Sequence, residues 1–274
     1  MTQTTTQHFI VIGNPIAHSK SPKIHQAFAK QAKLDIRYHR QYCPDHPESF
    51  HAVVEAFFNG GGTGANVTVP FKQEAYTLCA KDGDLSEHAK VAGAVNTLLL
   101  KDGKLYGDNT DGQGLVNHLL QLDWPLQEAK IAILGAGGAS RGVILPLIEA
   151  GVAHITIANR TLSKAEAMLD ELCSASNIIA KSQPQSCALE ALTGRFDIII
   201  NATSIGLSTQ TLPLDETLSC DYAYDMMYGR DLPFLTHFQQ QGAQVAEGYG
   251  MLIGQAALSF QRWTGVAVDT HLLL

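Results

Sequence analysis

Lys130 to Leu134 is a short apolar run, and Gly135-Ala136-Gly137-Gly138-Ala139-Ser140 follows it directly. From Gly138 to about Ala150 the pattern turns helical, with Pro146 expected to kink it. A second apolar run, His154 to Ala158, comes next. Strand, glycine-rich turn, helix and strand in this order specify a right-handed βαβ unit, and hence a parallel sheet. Gly135 permits the tight turn. Gly137 lets a pyrophosphate approach the backbone, and small Ser140 allows the helix to sit close to the sheet. The helix start offers free N–H groups and a partial positive charge to phosphates. Gly135, Ala136, Gly137, Gly138 and Ala139 therefore read as a dinucleotide cradle. The plainer alternative is a tight turn with no ligand.

The end of the second strand selects the dinucleotide. A site for NAD would place Asp or Glu there to hold the ribose hydroxyls. Here Asn159-Arg160-Thr161 stands instead, with Lys164 one turn further on. Arg160 can stack on adenine and pair with a 2′-phosphate, and Thr161 can donate a hydrogen bond. The pattern favours NADP.

The remaining chain supplies a second α/β pattern ahead of this one. A strand at His8 to Ile12 leads to Ser19-Lys20-Ser21-Pro22, where Ser21 reads as a helix cap and Pro22 as the first helical residue. A strand at Ile36 to Tyr42 and a helix at Pro47 to Asn59 follow, closed by Gly60-Gly61-Gly62. Asp102-Gly103 marks a hairpin turn. The last strands are expected near Asn177 to Ala180, at Phe196 to Asn201, at Tyr222 to Asp225 and at Ala243 to Ala246. A long apolar helix, Gly250 to Trp263, ends the pattern. The fold class is α/β with two domains: a substrate domain over residues 1–111 with a mostly parallel sheet, and a Rossmann-type domain over 112–247. Residues 248–274 are expected to pack back on the first.

Ala65-Asn66-Val67-Thr68-Val69-Pro70-Phe71-Lys72 alternates as a strand does, with the valines on one face and Asn66 and Thr68 on the other. Pro70 ends strand pairing and suits a helix's first turn, so Lys72 would fall on that turn. Strand ends of this kind are where open α/β sheets bind ligands. Asn66, Thr68 and Lys72 could then face one small polar molecule; the plainer reading is a surface strand with a solvated lysine.

The bulk numbers restrict the partners. Net charge is −7 over 274 residues, and the pI is about 5.8, which argues against nucleic acid or an anionic membrane. No run of about 18 apolar residues occurs. Five scattered cysteines and no leader pattern at Met1 to His8 point to reduced thiols and a cytoplasmic location. The eleven histidines show no metal-ligand spacing and read mostly as surface residues, so no metal is expected.

SKSP, ANVTVPFK, AGAVNT, GDNTDG, GAGGASR, NRT, NATS and MLIGQA occur in this order from about Ile12 to Gln261. In these motifs the sequence resembles the shikimate dehydrogenases. The resemblance implies reversible, NADPH-dependent reduction of 3-dehydroshikimate to shikimate in the pathway to chorismate and the aromatic amino acids. It implies that Ser19 and Ser21 bind the substrate carboxylate, and that Asn66, Thr68 and Asn96 bind ring hydroxyls. It further implies that Lys72 and Asp111 form the catalytic pair, with Thr110 supporting Asp111. Tyr228 and Gln255 are further substrate contacts. Glu87, Thr203, Met226 and Gly248 join the cofactor side. Glu247 stands where the family often has Asp, and the register to Glu87 across Asp82-Gly83-Asp84 is the looser one. The small-molecule substrate is the expected partner of a monomer or homodimer. The rivals are a quinate/shikimate dehydrogenase that uses NAD, and a non-catalytic NADP-binding sensor.

Overall fold

Ile198-Ile199-Ile200 and Ile131-Ala132-Ile133-Leu134 are runs with no polar residue, and all of these side chains are buried. Strands that read this way are covered on both faces, which is the signature of a parallel sheet flanked by helices. The computed structural model describes residues 6–203 and 214–274. It divides into two units: residues 1–110 with 253–274, and residues 111–252.

In the first unit, β1 (Gln7–Gly13), α1 (Ser21–Ala32), β2 (Ile36–Tyr42), α2 (Pro47–Asn59) and β3 (Gly64–Val67) follow in order. Next come α3 (Lys72–Asp82), β4 (Asp84–Leu85), α4 (Glu87–Ala92), β5 (Thr97–Lys101) and β6 (Lys104–Asp108). The sheet order is β2-β1-β3-β5-β6-β4. β1 pairs in parallel with β2 and β3, whereas β5 runs antiparallel to β3 and to β6. The β5–β6 turn is Asp102-Gly103, both at positive φ (52° and 76°), as a tight hairpin of right-handed twist requires. Ile10, Ile12, Phe50, Val54, Val67 and Phe71 lie in one core cluster of this unit.

In the second unit, α5 (Asp111–Gln121) leads to β7 (Lys130–Leu134), α6 (Gly138–Glu149), β8 (His154–Asn159), α7 (Leu162–Ala175), α8 (Asn177–Ser182) and β9 (Gln185–Ala188). Then come β10 (Arg195–Asn201), β11 (Ser219–Asp225), α9 (Pro233–Gln240), β12 (Gln244–Glu247) and α10 (Tyr249–Thr264). The sheet order is β12-β11-β10-β7-β8-β9, parallel throughout. The strand order reverses between β7 and β10, and the crevice at their carboxyl ends is the ligand position of such sheets. From Ile253 onward α10 belongs to the first unit, where Trp263 Nε1 donates to the Leu98 carbonyl at 3.0 Å.

Four local expectations are corrected. Asn177–Ser182 is a helix, not a strand: Ile179 is buried but Ile178 is half exposed, so the residues show one inward side chain per turn rather than a strand run. The strand of that region is the polar, half-buried edge segment β9, whose composition carries no apolar signal. β3 stops at Val67, because Thr68 already turns: its carbonyl accepts the Phe71 N–H at 3.0 Å, and Val69 is exposed. Pro70 precedes the helix rather than opening it, and Lys72 is the first residue of α3. Ser21 is a buried first-turn residue, and Lys20 holds the cap position. α6 continues through Pro146. Proline leaves the Gly142 carbonyl without its helical donor, and Gly112 of α5 lies so close to that carbonyl that a side chain would collide with it.

His25 and His118 also depart from the surface reading, since both are buried. The His25 ring stacks on Tyr38 with centroids 4.4 Å apart, and Phe28, Phe260 and Trp263 enclose it. Burial lowers its pKa to about 3, against a smaller opposing effect of the Asn66 amide. The unfolded chain protonates this ring below its ordinary value of 6.5 while the folded chain does not. The unfolded state therefore binds one more proton between pH 6.5 and about 3. Stability should fall with pH across that window, by up to about 1.4 kcal/mol per unit from this group alone. Thermal melts from pH 7 to 4 should show a shallower acid limb for His25→Phe than for the parent chain.

Asp108, only 1% exposed, ties three segments of the first unit together. Its carboxylate accepts from Ser86 Oγ (2.5 Å), the Asn109 N–H (2.8 Å) and Arg262 Nε (2.9 Å). Arg262→Ala would leave that buried charge with two donors. The expected loss is about 1.5–3 kcal/mol, read as a lower denaturation midpoint.

Candidate active site

Two polar sites form, one at the head of each sheet. In the second unit, β7 ends at Leu134 and Gly135 takes φ +103°, which an L side chain rarely adopts. The turn is held from two sides. Ser140 Oγ donates to the Gly135 carbonyl at 2.7 Å, and the Ala136 N–H donates to Asn159 Oδ1 at 3.2 Å. Asn159 Nδ2 in turn donates to the Thr161 carbonyl at 2.8 Å. The Asn159 amide thus braces the loop, a role its place in the motif did not reveal.

A cavity of about 450 Å³ opens over this turn. Gly135, Ala136, Gly137, Gly138 and Ala139 form its floor. Asn159, Arg160, Thr161, Lys164 and Thr203 line the rest. α6 starts without a side-chain cap, and the Thr161 hydroxyl makes no capping bond to α7. A Cβ built on Gly137 or Gly138 meets nothing within 4 Å. The backbone there borders open space, as a surface for phosphate oxygens must. Arg160 and Lys164 are exposed, and the strand end carries no acid. This set suits NADP: helix N–H groups for the pyrophosphate, two cations and a hydroxyl for the 2′-phosphate. Gly137→Val has space in the bare chain and should leave the melting temperature unchanged. It should raise the KM for NADP+ at least tenfold, since the branch would occupy the phosphate path.

Met226 and Gly248 stand at the ends of β11 and β12, outside that cavity's lining. They pack together: a side chain at position 248 would collide with the Met226 carbonyl, and the Gly248 N–H donates to the Met227 carbonyl at 2.9 Å. Buried Asp225 organises these ends by accepting from Asn201 Nδ2 (2.8 Å) and the Met227 N–H (2.9 Å). Asn201 Oδ1 holds the Thr203 hydroxyl at 2.7 Å. The last residue of NATS, Ser204, lies outside the described residues. Tyr228 is half buried beside Tyr249, ring centroids 5.8 Å apart, and burial raises its pKa.

In the first unit Asn66, Asn96 and Gln255, three of the candidate substrate residues, meet in one buried network. Asn66 Nδ2 donates to the Asn96 carbonyl (3.1 Å) and to Ser259 Oγ (3.0 Å). Asn96 Oδ1 accepts from the Thr110 N–H at 3.0 Å, and Asn96 Nδ2 donates to Gln255 Oε1 at 3.3 Å. The Lys72 carbonyl accepts the Val95 N–H at 2.9 Å, which fixes the start of α3 beside the Asn96 segment. Thr68 lies against Gly13. Ser19 Oγ accepts the Ser21 N–H at 3.3 Å, and Arg40 caps the Ser19 carbonyl. Glu87 is exposed on the first turn of α4. Asp111 opens α5, one residue past Thr110.

Tyr38, Thr97 and Ser259 belong to this network and were not singled out from the sequence. Tyr38 Oη donates to Asn66 Oδ1 at 2.7 Å, and Thr97 Oγ1 lies 2.7 Å from Ser259 Oγ. Ser259 follows Gln255 by four residues, so helical spacing alone puts the two on one face. Tyr38 is the inward polar residue of an alternating strand. Among the described residues no group of three or more His, Cys, Asp or Glu side chains is placed to hold a metal ion. No described helix is long and apolar enough to cross a membrane. All five cysteines are free, and burial pushes the Cys79 and Cys220 thiols up to about 12.

Comparison with known proteins places this architecture. Residues 11–98 match the shikimate dehydrogenase substrate binding domain, residues 117–211 match shikimate / quinate 5-dehydrogenase, and residues 248–273 match the shikimate 5'-dehydrogenase C-terminal domain. The chain belongs to the shikimate dehydrogenase family. A shikimate dehydrogenase (NADP(+)) of Psychrobacter cryohalolentis is 67% identical over 274 residues, covering 96% of this chain and 95% of its own. One of Acinetobacter baylyi is 48% identical over 95% of this chain and 97% of its own. The structure of the Thermus thermophilus shikimate 5-dehydrogenase, in complex with NADP(H) and shikimate, is similar at a TM-score of 0.81 and 31% identity. It covers 97% of this chain and 96% of that one. The two-domain α/β reading of the sequence holds.

Proposed function

We propose that this chain catalyses the reversible NADPH-dependent reduction of 3-dehydroshikimate to shikimate, on the way to chorismate and the aromatic amino acids. The observation that carries the reading is the buried, uncharged network of Asn66, Asn96, Thr110 and Gln255 next to the start of α3, where Lys72 stands. Amides and hydroxyls without charge suit a neutral polyol ring, and a lysine at their edge suits proton delivery.

NADPH, when bound, supplies the hydride. As the ketone carbon is reduced, negative charge builds on its oxygen, which must receive a proton. The Lys72 ammonium stabilises that charge and donates the proton; in the oxidation direction the amine takes it back. Asp111 is its partner carboxylate. Ser19 and Ser21 take the substrate carboxylate with hydroxyls at the start of α1, Asn66, Thr68 and Asn96 take the ring hydroxyls, and Gln255 and Tyr228 complete the substrate contacts. Glu87, Met226 and Gly248 serve the cofactor side. Arg160, Thr161 and Lys164 select NADP.

Initial rates with shikimate or quinate, each with NADP+ or NAD+, test the assignment. Shikimate with NADP+ should give by far the highest kcat/KM. A higher value for quinate or for NAD+ would overturn the specificity. No turnover with NADP+ demonstrably bound would leave the sensor.

A further inference from the structure

Arg40 stands on β2, in register with Val11 of β1, and is exposed. Its guanidinium reaches across to the loop that follows β1. There Nε donates to the Ser19 carbonyl at 3.0 Å, and a terminal nitrogen donates to the same oxygen at 2.5 Å. The Ser19 N–H donates to the Ile16 carbonyl at 3.1 Å, so the backbone of this residue is held on both sides. Ser19 Oγ accepts the Ser21 N–H at 3.3 Å and still has its own proton to give. A carbonyl is neutral, so it does not cancel the charge of the fork that grips it. Among the described residues no carboxylate pairs with Arg40.

We propose that Arg40 is a specificity-determining residue: it fixes Ser19 and sets a positive charge beside it, so that the Ser19–Ser21 subsite prefers an anion to a neutral group. The inference rests on the carboxylate role proposed above for the two serines. The carbonyl and hydroxyl of one serine are a few covalent bonds apart, so the cation lies no more than about 8 Å from the Ser19 hydroxyl. That is inside the screening length of ~10 Å at 0.1 M salt and well outside the ~3 Å at 1 M. A hydroxyl donates to a carboxylate and to a neutral ester alike. A charge at this range favours the carboxylate only. The chain carries a net charge of −7, which repels an anionic substrate at long range, and a local cation offsets that field. The planar fork places two donors on one carbonyl, which a lysine cannot do, so loop position and charge come from the same side chain.

The test measures kcat/KM for shikimate and for its methyl ester in the full chain, at saturating NADP+. At about 20 mM salt, Arg40→Gln should lower the value for shikimate about fivefold and that for the ester less than about twofold. Raising the salt to about 1 M should close the gap between parent and variant on shikimate to less than about twofold. Arg40→Lys keeps the charge and should retain more of the preference for acid over ester than Arg40→Gln does. The KM for NADP+ and the melting temperature should not move, since the side chain is exposed. Equal losses for acid and ester, or a gap that persists at high salt, would make Arg40 only a brace for the loop and overturn the proposal. The Ser19→Ala/Ser21→Ala double variant tests the underlying reading separately. If it costs shikimate no more than the ester, the carboxylate is not held there, and the substrate-site reading fails and takes the inference with it. Should Arg40→Gln not fold, the parent's acid-to-ester ratio over the same salt range decides instead. That ratio should fall as salt rises, and a ratio unchanged by salt overturns the role of the charge.

Discussion

Lys72→Met is expected to lower kcat for shikimate oxidation about a thousandfold, with KM for shikimate and NADP+ each changed less than about threefold. A positioned general acid or base contributes 10²–10⁴-fold, and in the proposed mechanism the same group also meets the charge on the oxygen. Methionine keeps the length of the side chain and removes the proton. Lys72 is half buried at the first position of α3, outside the core built from Phe71, Ala75 and Cys79. The variant should therefore melt with the parent. Asp111→Asn should also slow kcat, through loss of the carboxylate proposed to act with Lys72. Near-normal turnover in Lys72→Ala together with an inactive Asp111→Ala would transfer the proton role away from the lysine.

The second large effect concerns the cofactor. Replacing both Arg160 and Lys164 with alanine should lower kcat/KM for NADP+ about a hundredfold and leave the value for NAD+ within about threefold. Hydrogen bonds to charged groups contribute about 1.5–3 kcal/mol each, less where the partners are exposed, as these are. The penalty falls on the 2′-phosphate alone, so the preference should collapse toward NAD+ rather than the activity vanishing. Equal losses with both cofactors would mean that these residues hold the shared part of the dinucleotide. Raising the salt concentration should narrow the preference in the parent chain more than in the double variant, since exposed charges are screened.

Much of this molecule was legible from residue order. The glycine turn at 135–138, the Asp102-Gly103 hairpin and the buried isoleucine run of β10 each carry a local reason for their conformation. So does the cation pair at the end of β8, because the absence of an acid is a property of sequence alone. The failures share one physical cause. A strand was expected at Asn177 to Ala180, where α8 stands, because α8 is short and a single buried side chain decides its conformation; β9, the edge strand, is polar and carries no apolar signal. Likewise, His25 and His118 look like any surface histidine in sequence. His25 is enclosed by α1, β2 and α10, and His118 meets the Tyr224 hydroxyl at 2.9 Å.

What the sequence by itself determined is therefore chemical and local: two βα patterns, a glycine-rich turn, the choice of NADP, and the residue types of the proposed substrate site. What the tertiary structure decided is which partners complete those residues. Asn66, Asn96 and Ser259 are up to 193 positions apart and meet through hydrogen bonds within one unit. Tyr38 of β2 and Asn66 of β3 meet at 2.7 Å. Hydrogen bonds have short range and fixed direction, so the Tyr38–Asn66 contact exists only once β2 and β3 are assembled in one sheet.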